Sequence, residues 1–276
     1  MANEDKQKET EKKQLEKVEN YKELEDNIKS LSLEELEKIL SNPIDESVEN
    51  IIIDRLYFLS IVGETFQIAE EAFELGKNEF GVNQLYDLSN RGKTEKIEEE
   101  AFELGKDKFD TEQLYNLSQR SSIKIAEEAF SLGKDKFSVC ELFDLSIVGG
   151  TKIAEEAFEL GKDKFGIEQL YNLSLRRSVK IAEEAFELGK NKFTSEQLAW
   201  LSQHTETERM AEEAFELGKD KFTPKQLFEL PTEGKTEKIR KEASKLYKKG
   251  KVAYGVIETK KVKLNYTDYI KKEVDK

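Results

Sequence analysis

Apolar residues return at three- and four-residue intervals through most of the chain, and the pattern repeats almost word for word. The segment Lys152–Phe165, KIAEEAFELGKDKF, has near copies at Lys124–Phe137, Lys180–Phe193 and Met210–Phe222. Ile153, Ala157 and Leu160 follow one another at helical spacing, and Ala154 and Phe158 widen them into a broad apolar face. A face that wide suits a helix wedged between two neighbours. Thr65, Thr94, Ser122, Ser178, Thr207 and Thr236 each stand three residues before an Ile or Met. There a hydroxyl can accept from an otherwise orphan backbone N–H at the helix start. Gly150 takes that place before Ile153. Gly161 reads either as a left-handed helix cap or as a glycine in a longer helix where another backbone comes close. Lys164 would fall on the apolar face of any continuation, which favours a cap or distortion.

A second, shorter helix follows each copy. Asp110 with Gln113, Ser138 with Glu141, Thr194 with Gln197 and Thr223 with Gln226 have capping-box spacing. Gly81 and Gly166 hold the cap place elsewhere, and Pro224 falls at a first helical position, where it loses no hydrogen bond. Leu114 and Leu117 face inward, with Tyr115 beside them. Two or three turns are marginal alone in water, so this helix depends on its neighbours.

The ruler is the glycine of the FELG motif: Gly76, Gly105, Gly133, Gly161, Gly189 and Gly218, at steps of 28 or 29 residues. Such a period signals a repeat architecture. RLYFLS at Arg55–Ser60 is an early copy of the QLYNLS stretch, and Lys238–Gly250 is a worn late copy of the long helix. The expected fold is all-α: an α-solenoid of about seven to eight two-helix repeats. Stacking makes one core column of Phe73, Phe102, Phe130, Phe158, Phe186 and Phe215, and another of Phe80, Phe109, Phe137, Phe165, Phe193 and Phe222. On the helix-turn-helix unit and the Ala-x-x-Leu-Gly pattern of Ala157–Gly161, the chain resembles α-solenoid helical-repeat proteins. That class holds tetratricopeptide, Sel1-like and HEAT repeats, and the resemblance covers roughly residues 44–250. The period is shorter than the tetratricopeptide one. The resemblance implies scaffolding or peptide binding and nominates no binding residues.

The ends differ from the repeats. Residues 1–10 are expected to be disordered. Residues 11–43 supply capping helices, with Leu15, Val18, Tyr21, Leu24, Ile28 and Leu31 along one face and Ser32 and Glu35 opening a further helix. That first face either caps the array or pairs with a partner helix. From Lys235 to Lys276 there are 14 Lys or Arg against 6 Asp or Glu, a balance of +8 in a chain of net charge −13. Residues 251–276 read as a basic β-hairpin or an extended tail. Lys248, Lys249, Lys251, Tyr254, Lys260, Lys261, Lys263 and Tyr266 could touch nucleic acid through phosphate contact and stacking.

Charge and chemistry narrow the reading. Charged residues make up 37% of the chain, and an acidic surface repels bare nucleic acid. One cysteine, Cys140, rules out an intrachain disulfide. The start lacks a signal-peptide core and no run is long enough to cross a bilayer, so a cytoplasmic location with no membrane partner is expected. His204 is the only histidine. Glu99–Glu100, Glu127–Glu128, Glu155–Glu156, Glu183–Glu184 and Glu212–Glu213 recur in every unit, as a solvated face would, whereas acid–base chemistry needs one odd place. No enzyme activity, metal or cofactor is expected.

The informative positions are those where one unit departs from its siblings. Trp200 and Phe58 stand where Asp87, Asn116, Asp144, Asn172 and Glu229 stand elsewhere. Trp200 is either a partner anchor or a filler for the gap left by Ala199, which replaces the usual Tyr. Phe58 fits an atypical, partly covered first unit. Arg91, Arg120 and Arg176, with His204 in the same place, either bind an acidic peptide or satisfy helix C-terminal carbonyls. The leading expectation is a non-enzymatic scaffold that binds a protein or peptide along one solenoid face, through Trp200, Arg91, Arg120, Arg176 and His204. The alternatives are a nucleic-acid-associated protein using the basic C-terminal segment, and an acidic mimic of nucleic acid.

Overall fold

The computed structural model describes residues 23, 26–41, 45–119, 122–176 and 178–249. Those residues are helical with short connections and contain no strand. The expected hairpin at 251–276, the N-terminal positions Leu15, Val18, Tyr21 and Leu24, and residues 1–10, expected to be disordered, lie outside them.

Two compact units divide the chain, Met1–Phe137 and Ser138–Lys276. The first holds α1 (Leu33–Leu40), α2 (Glu46–Val62), α3 (Phe66–Gly76), α4 (Val82–Arg91), α5 (Glu95–Gly105), α6 (Thr111–Ser118) and α7 (Ile123–Gly133). The second holds α8 (Val139–Val148), α9 (Thr151–Gly161), α10 (Ile167–Leu173), α11 (Val179–Gly189), α12 (Ser195–His204), α13 (Glu208–Gly218), α14 (Pro224–Glu233) and α15 (237–249).

The closest partners are consecutive helices: α2, itself 17 residues, with α3, α4 with α5 and α6 with α7 in the first unit, and α8 with α9, α10 with α11 and α12 with α13 in the second, where each later helix is an 11-residue long helix of the repeat. The packed hairpin is thus offset by one helix from the long-then-short division the sequence suggests. Most connections inside the hairpins are shorter than those between them, although residues 174–178, joining α10 to α11, match the five residues of the between-hairpin links. Gly92–Thr94 joins α4 to α5, and Gly149–Gly150 joins α8 to α9, whereas Lys77–Gly81 must carry the chain from α3 to α4. A tighter link leaves two helices antiparallel and side by side. Successive hairpins then stack first helix on first helix, as α2 on α4 and α12 on α14.

The helix starts follow the sequence with two exceptions. Capping boxes form at Ser32, Asp110, Ser138, Thr194 and Thr223. Thr65, Thr94, Thr207 and Thr236 accept from the backbone three residues on. Ser122 and Ser178 make no side-chain cap. Their ψ angles are 105° and 101°, against 144–161° at Thr65, Thr94 and Thr207, and that rotation turns the hydroxyl away from the helix.

Both phenylalanine columns are buried. The second column is the hub of each hairpin. Phe165 lies 6.1 Å from Phe158 of α9 and takes Phe143 of α8 edge-on at 5.9 Å. Tyr57, Tyr86 and Tyr115 make the same edge contact with Phe80, Phe109 and Phe137 in the first unit. Such edge-to-face pairs add to the burial energy of the rings.

The glycine ruler has a different cause from a left-handed cap. Gly161 has φ −102°, and no described residue has a positive φ. A Cβ at Gly161 would sit 2.4 Å from the ring of Phe165, and one at Gly105 would sit 2.4 Å from Phe109 and 3.2 Å from Leu85 Cβ on α4. The ring of the residue four positions on therefore lies directly on the glycine. The helix tightens there into a 3₁₀ turn over Lys162–Lys164, which leaves Lys164 exposed. Leu160, expected on the inward face, is 40% exposed, because Phe165 and Phe158 already fill the space at that end.

One further column is buried and polar: Ser60, Ser89, Ser118, Ser146, Ser174 and Ser202. Each hydroxyl donates to the carbonyl four residues earlier at 2.7–2.8 Å, so none costs an unpaired group.

Gly161→Ala tests the ring contact. Alanine is normally the better helix former by about 1 kcal/mol. Here it should instead destabilise by about 1–3 kcal/mol through overpacking. Gly150→Ser, where a Cβ meets nothing within 4 Å, should leave stability unchanged or slightly raised. Urea unfolding midpoints of the two variants decide it.

Candidate functional site: the short-helix ridge

Within each unit the short helices turn their leucines inward and show a ridge outward. Along α12 the capping box of Thr194 and Gln197 fixes the start, and Leu198 and Leu201 are buried. That phase points Trp200 and His204, one turn apart, away from the core. Trp200 is 50% exposed, and its ring lies 4.0 Å from the His204 ring at 39°. Ala199 is itself buried, and among the described residues Phe215 is the aromatic ring that Phe222 meets there. Trp200 therefore does not fill the gap that Ala199 leaves.

Beside Trp200 runs a groove of about 520 Å³ between α12 and α14. Its walls include Glu196 and Gln203 on one side and Lys225, Gln226, Glu229 and Glu233 on the other. Lys225 is 85% exposed, and its Nζ stands 4.0 Å from Glu229. These groove carboxylates escaped the sequence reading. The signal was present: Glu229 and Glu233 are one helical turn apart with like charge, where α4 carries Asp87 and Arg91.

The arginine row is not one site. Arg91 is held by Asp87, with Nε at 2.7 Å and Nη2 at 2.5 Å from Oδ1, and it caps no helix carbonyls. The other oxygen of Asp87 accepts from the Tyr57 hydroxyl. Burial first, and that hydrogen bond second, push the Tyr57 phenol up to about 12. Arg176 is exposed and lines a separate groove with Ser146, Thr151, Ser178 and Glu206. Arg120 lies outside the described residues. Arg240 does bond carbonyls, those of Gly234 and Lys235.

Phe58 is exposed, under the Arg55 guanidinium at 5.8 Å, rather than partly covered. Cys140 is exposed, as its sibling glutamates suggest. Lys248 and Lys249 are exposed on α15; Lys251, Tyr254, Lys260, Lys261, Lys263 and Tyr266 lie outside the described residues.

The paired glutamates and the lysine rows are one system. Lys162 reaches Glu159 on its own helix at 2.7 Å and Glu184 on the next long helix at 2.5 Å. Lys77, Lys106 and Lys190 repeat this geometry with Glu100, Glu128 and Glu213. A second row joins Lys124 to Glu99 and Lys180 to Glu155, both at 2.6 Å. The lysines hold the Glu159 and Glu187 carboxyls below their ordinary range, and Glu159 and Glu184 hold the Lys162 ammonium above its own. Among the described residues no group of His, Cys, Asp and Glu is arranged to hold a metal, and no helix is long and apolar enough to cross a membrane.

No protein-family model matches the chain, and no curated protein matches it significantly.

The shifted Tyr57 gives a test in the first unit. A phenol whose folded value lies above its ordinary value of 10.0 contributes stability below pH 10, and loses it as pH rises towards about 12. Tyr57→Phe should lack that alkaline loss. Lysine contributions fade in both proteins, so the difference between their unfolding curves from pH 7 to 11 isolates Tyr57.

Proposed function

We propose that the chain is a non-enzymatic interaction scaffold, and that a protein or peptide partner lies along the short-helix ridge with Trp200 as its anchor. The observation that supports this reading is the exposure of Trp200. Half of a large indole faces water, while its ring partner among the described residues, His204, is also exposed. A tryptophan contributes most to stability when its ring is covered. Exposed aromatics beside a groove are the residue type that carries binding energy at interfaces. The helical-repeat architecture supplies a fixed frame for such a ridge, because hairpins on either side hold each short helix in place. Arg176 and the exposed end of α15 lie in the same unit and can extend the contact, with the basic end meeting acidic parts of a partner.

The test is affinity capture from source-cell lysate after nuclease treatment, with wild-type protein and Trp200→Ala compared at equal helix content by circular dichroism. A protein recovered by the wild type and lost with Trp200→Ala is the expected result. Equal recovery by both removes Trp200 from the site. Recovery that needs intact nucleic acid overturns the scaffold reading.

A further inference from the structure

We infer that the groove beside Trp200 accepts a basic side chain, an arginine in the first place, from the partner segment; the inference rests on the scaffold reading above. Three features of the groove converge on a cation. The first is the Trp200 ring, half exposed on the wall of the groove and the strongest cation–π acceptor among side chains. The second is charge: Glu196, Glu229 and Glu233 line the groove against one lysine. The third is that this charge is only partly compensated. Lys225 is extended into solvent, at the distance limit of an ion pair with Glu229. Glu233 ends α14 at the position where α4 places Arg91 to neutralise Asp87.

Arginine fits better than lysine on the same grounds. A guanidinium is planar and weakly hydrated, so it can stack on an indole face while its edge donates to carboxylates. The His204 ring, 4.0 Å from Trp200, backs the indole and limits its rotation. An apolar partner side chain would leave Glu229 and Glu233 facing it without a counter-charge, which costs binding energy. An acidic one would meet three like charges.

Trp200 is the only tryptophan, so the emission of the full chain reports on this groove directly. The probe is the acetylated, amidated peptide Gly-Gly-Arg-Gly-Gly, with citrulline in place of arginine as the neutral control of the same shape. The arginine peptide should change Trp200 emission saturably, and the citrulline peptide should bind about tenfold more weakly or less. Glu229→Gln with Glu233→Gln, both at the surface, should weaken the arginine peptide about tenfold and flatten its dependence on salt. Equal binding of arginine and citrulline peptides overturns the basic-ligand inference, as does an unchanged affinity in the double variant or no emission change with the arginine peptide. None of these outcomes bears on whether Trp200 is needed for capture of a partner, so the scaffold reading stands or falls separately on Trp200→Ala.

Discussion

A phenyl ring resting on a glycine sets where the long helices stop. The ring and the glycine are four residues apart, so the contact closes only if the helix tightens and the chain then turns away. At Gly105 and Gly218 the leucine Cβ of the preceding short helix also stands within 3.2 Å. One absent methyl group thus fixes two distances: helix to turn, and helix to partner helix. A larger residue would displace a ring that is already packed on two sides, as Phe165 is by Phe143 and Phe158. Packed rings have little room to give. This is why the FELG phrase and its later Phe repeat with so little change, while outward positions drift from unit to unit.

The second constraint is electrostatic and acts between long helices. An isolated exposed ion pair contributes little, and each ladder lysine keeps about a fifth of its side chain in water. The effect is geometric. A lysine that holds one carboxylate at i−3 and another on the next helix can satisfy both only in one relative register. The acidic rows that dominate the composition are therefore largely spoken for within each unit. Charge on the short helices varies instead, from the closed Asp87–Arg91 pair of the first unit to Glu229, with Lys225 at 4.0 Å, and Glu233 of the second.

Periodicity made the repeat, the cap positions and the inward columns legible, because each follows from local hydrogen bonding or from helical spacing. What escaped needed the third dimension. A glycine at a helix end looks the same in sequence whether it adopts a left-handed angle or yields space to a ring. Leu160 has the right spacing for the core but competes with two aromatic rings for one volume. Ser122 and Ser178 have the right residue type and the wrong ψ. The pairing of Lys162 with Glu184 joins residues 22 apart, which spacing along one helix cannot reveal. For the site, Trp200 stood out because it broke a column, but its groove did not, since the facing carboxylates come from α14.

The two adjacent departures in α12 carry opposite meanings. Ala199 points inward and gives up an edge contact that the other hairpins keep, a loss of packing. Trp200 points outward and recovers none of it. Had the tryptophan served to repair the core, its ring would lie against Phe222, where the tyrosine ring lies in neighbouring repeats. It lies instead against His204, half in water, next to the groove carboxylates Glu229 and Glu233. A large apolar ring held in solvent contributes little to folding, which is why the proposed partner is placed over it, with a charge opposite to that of the carboxylates beside it.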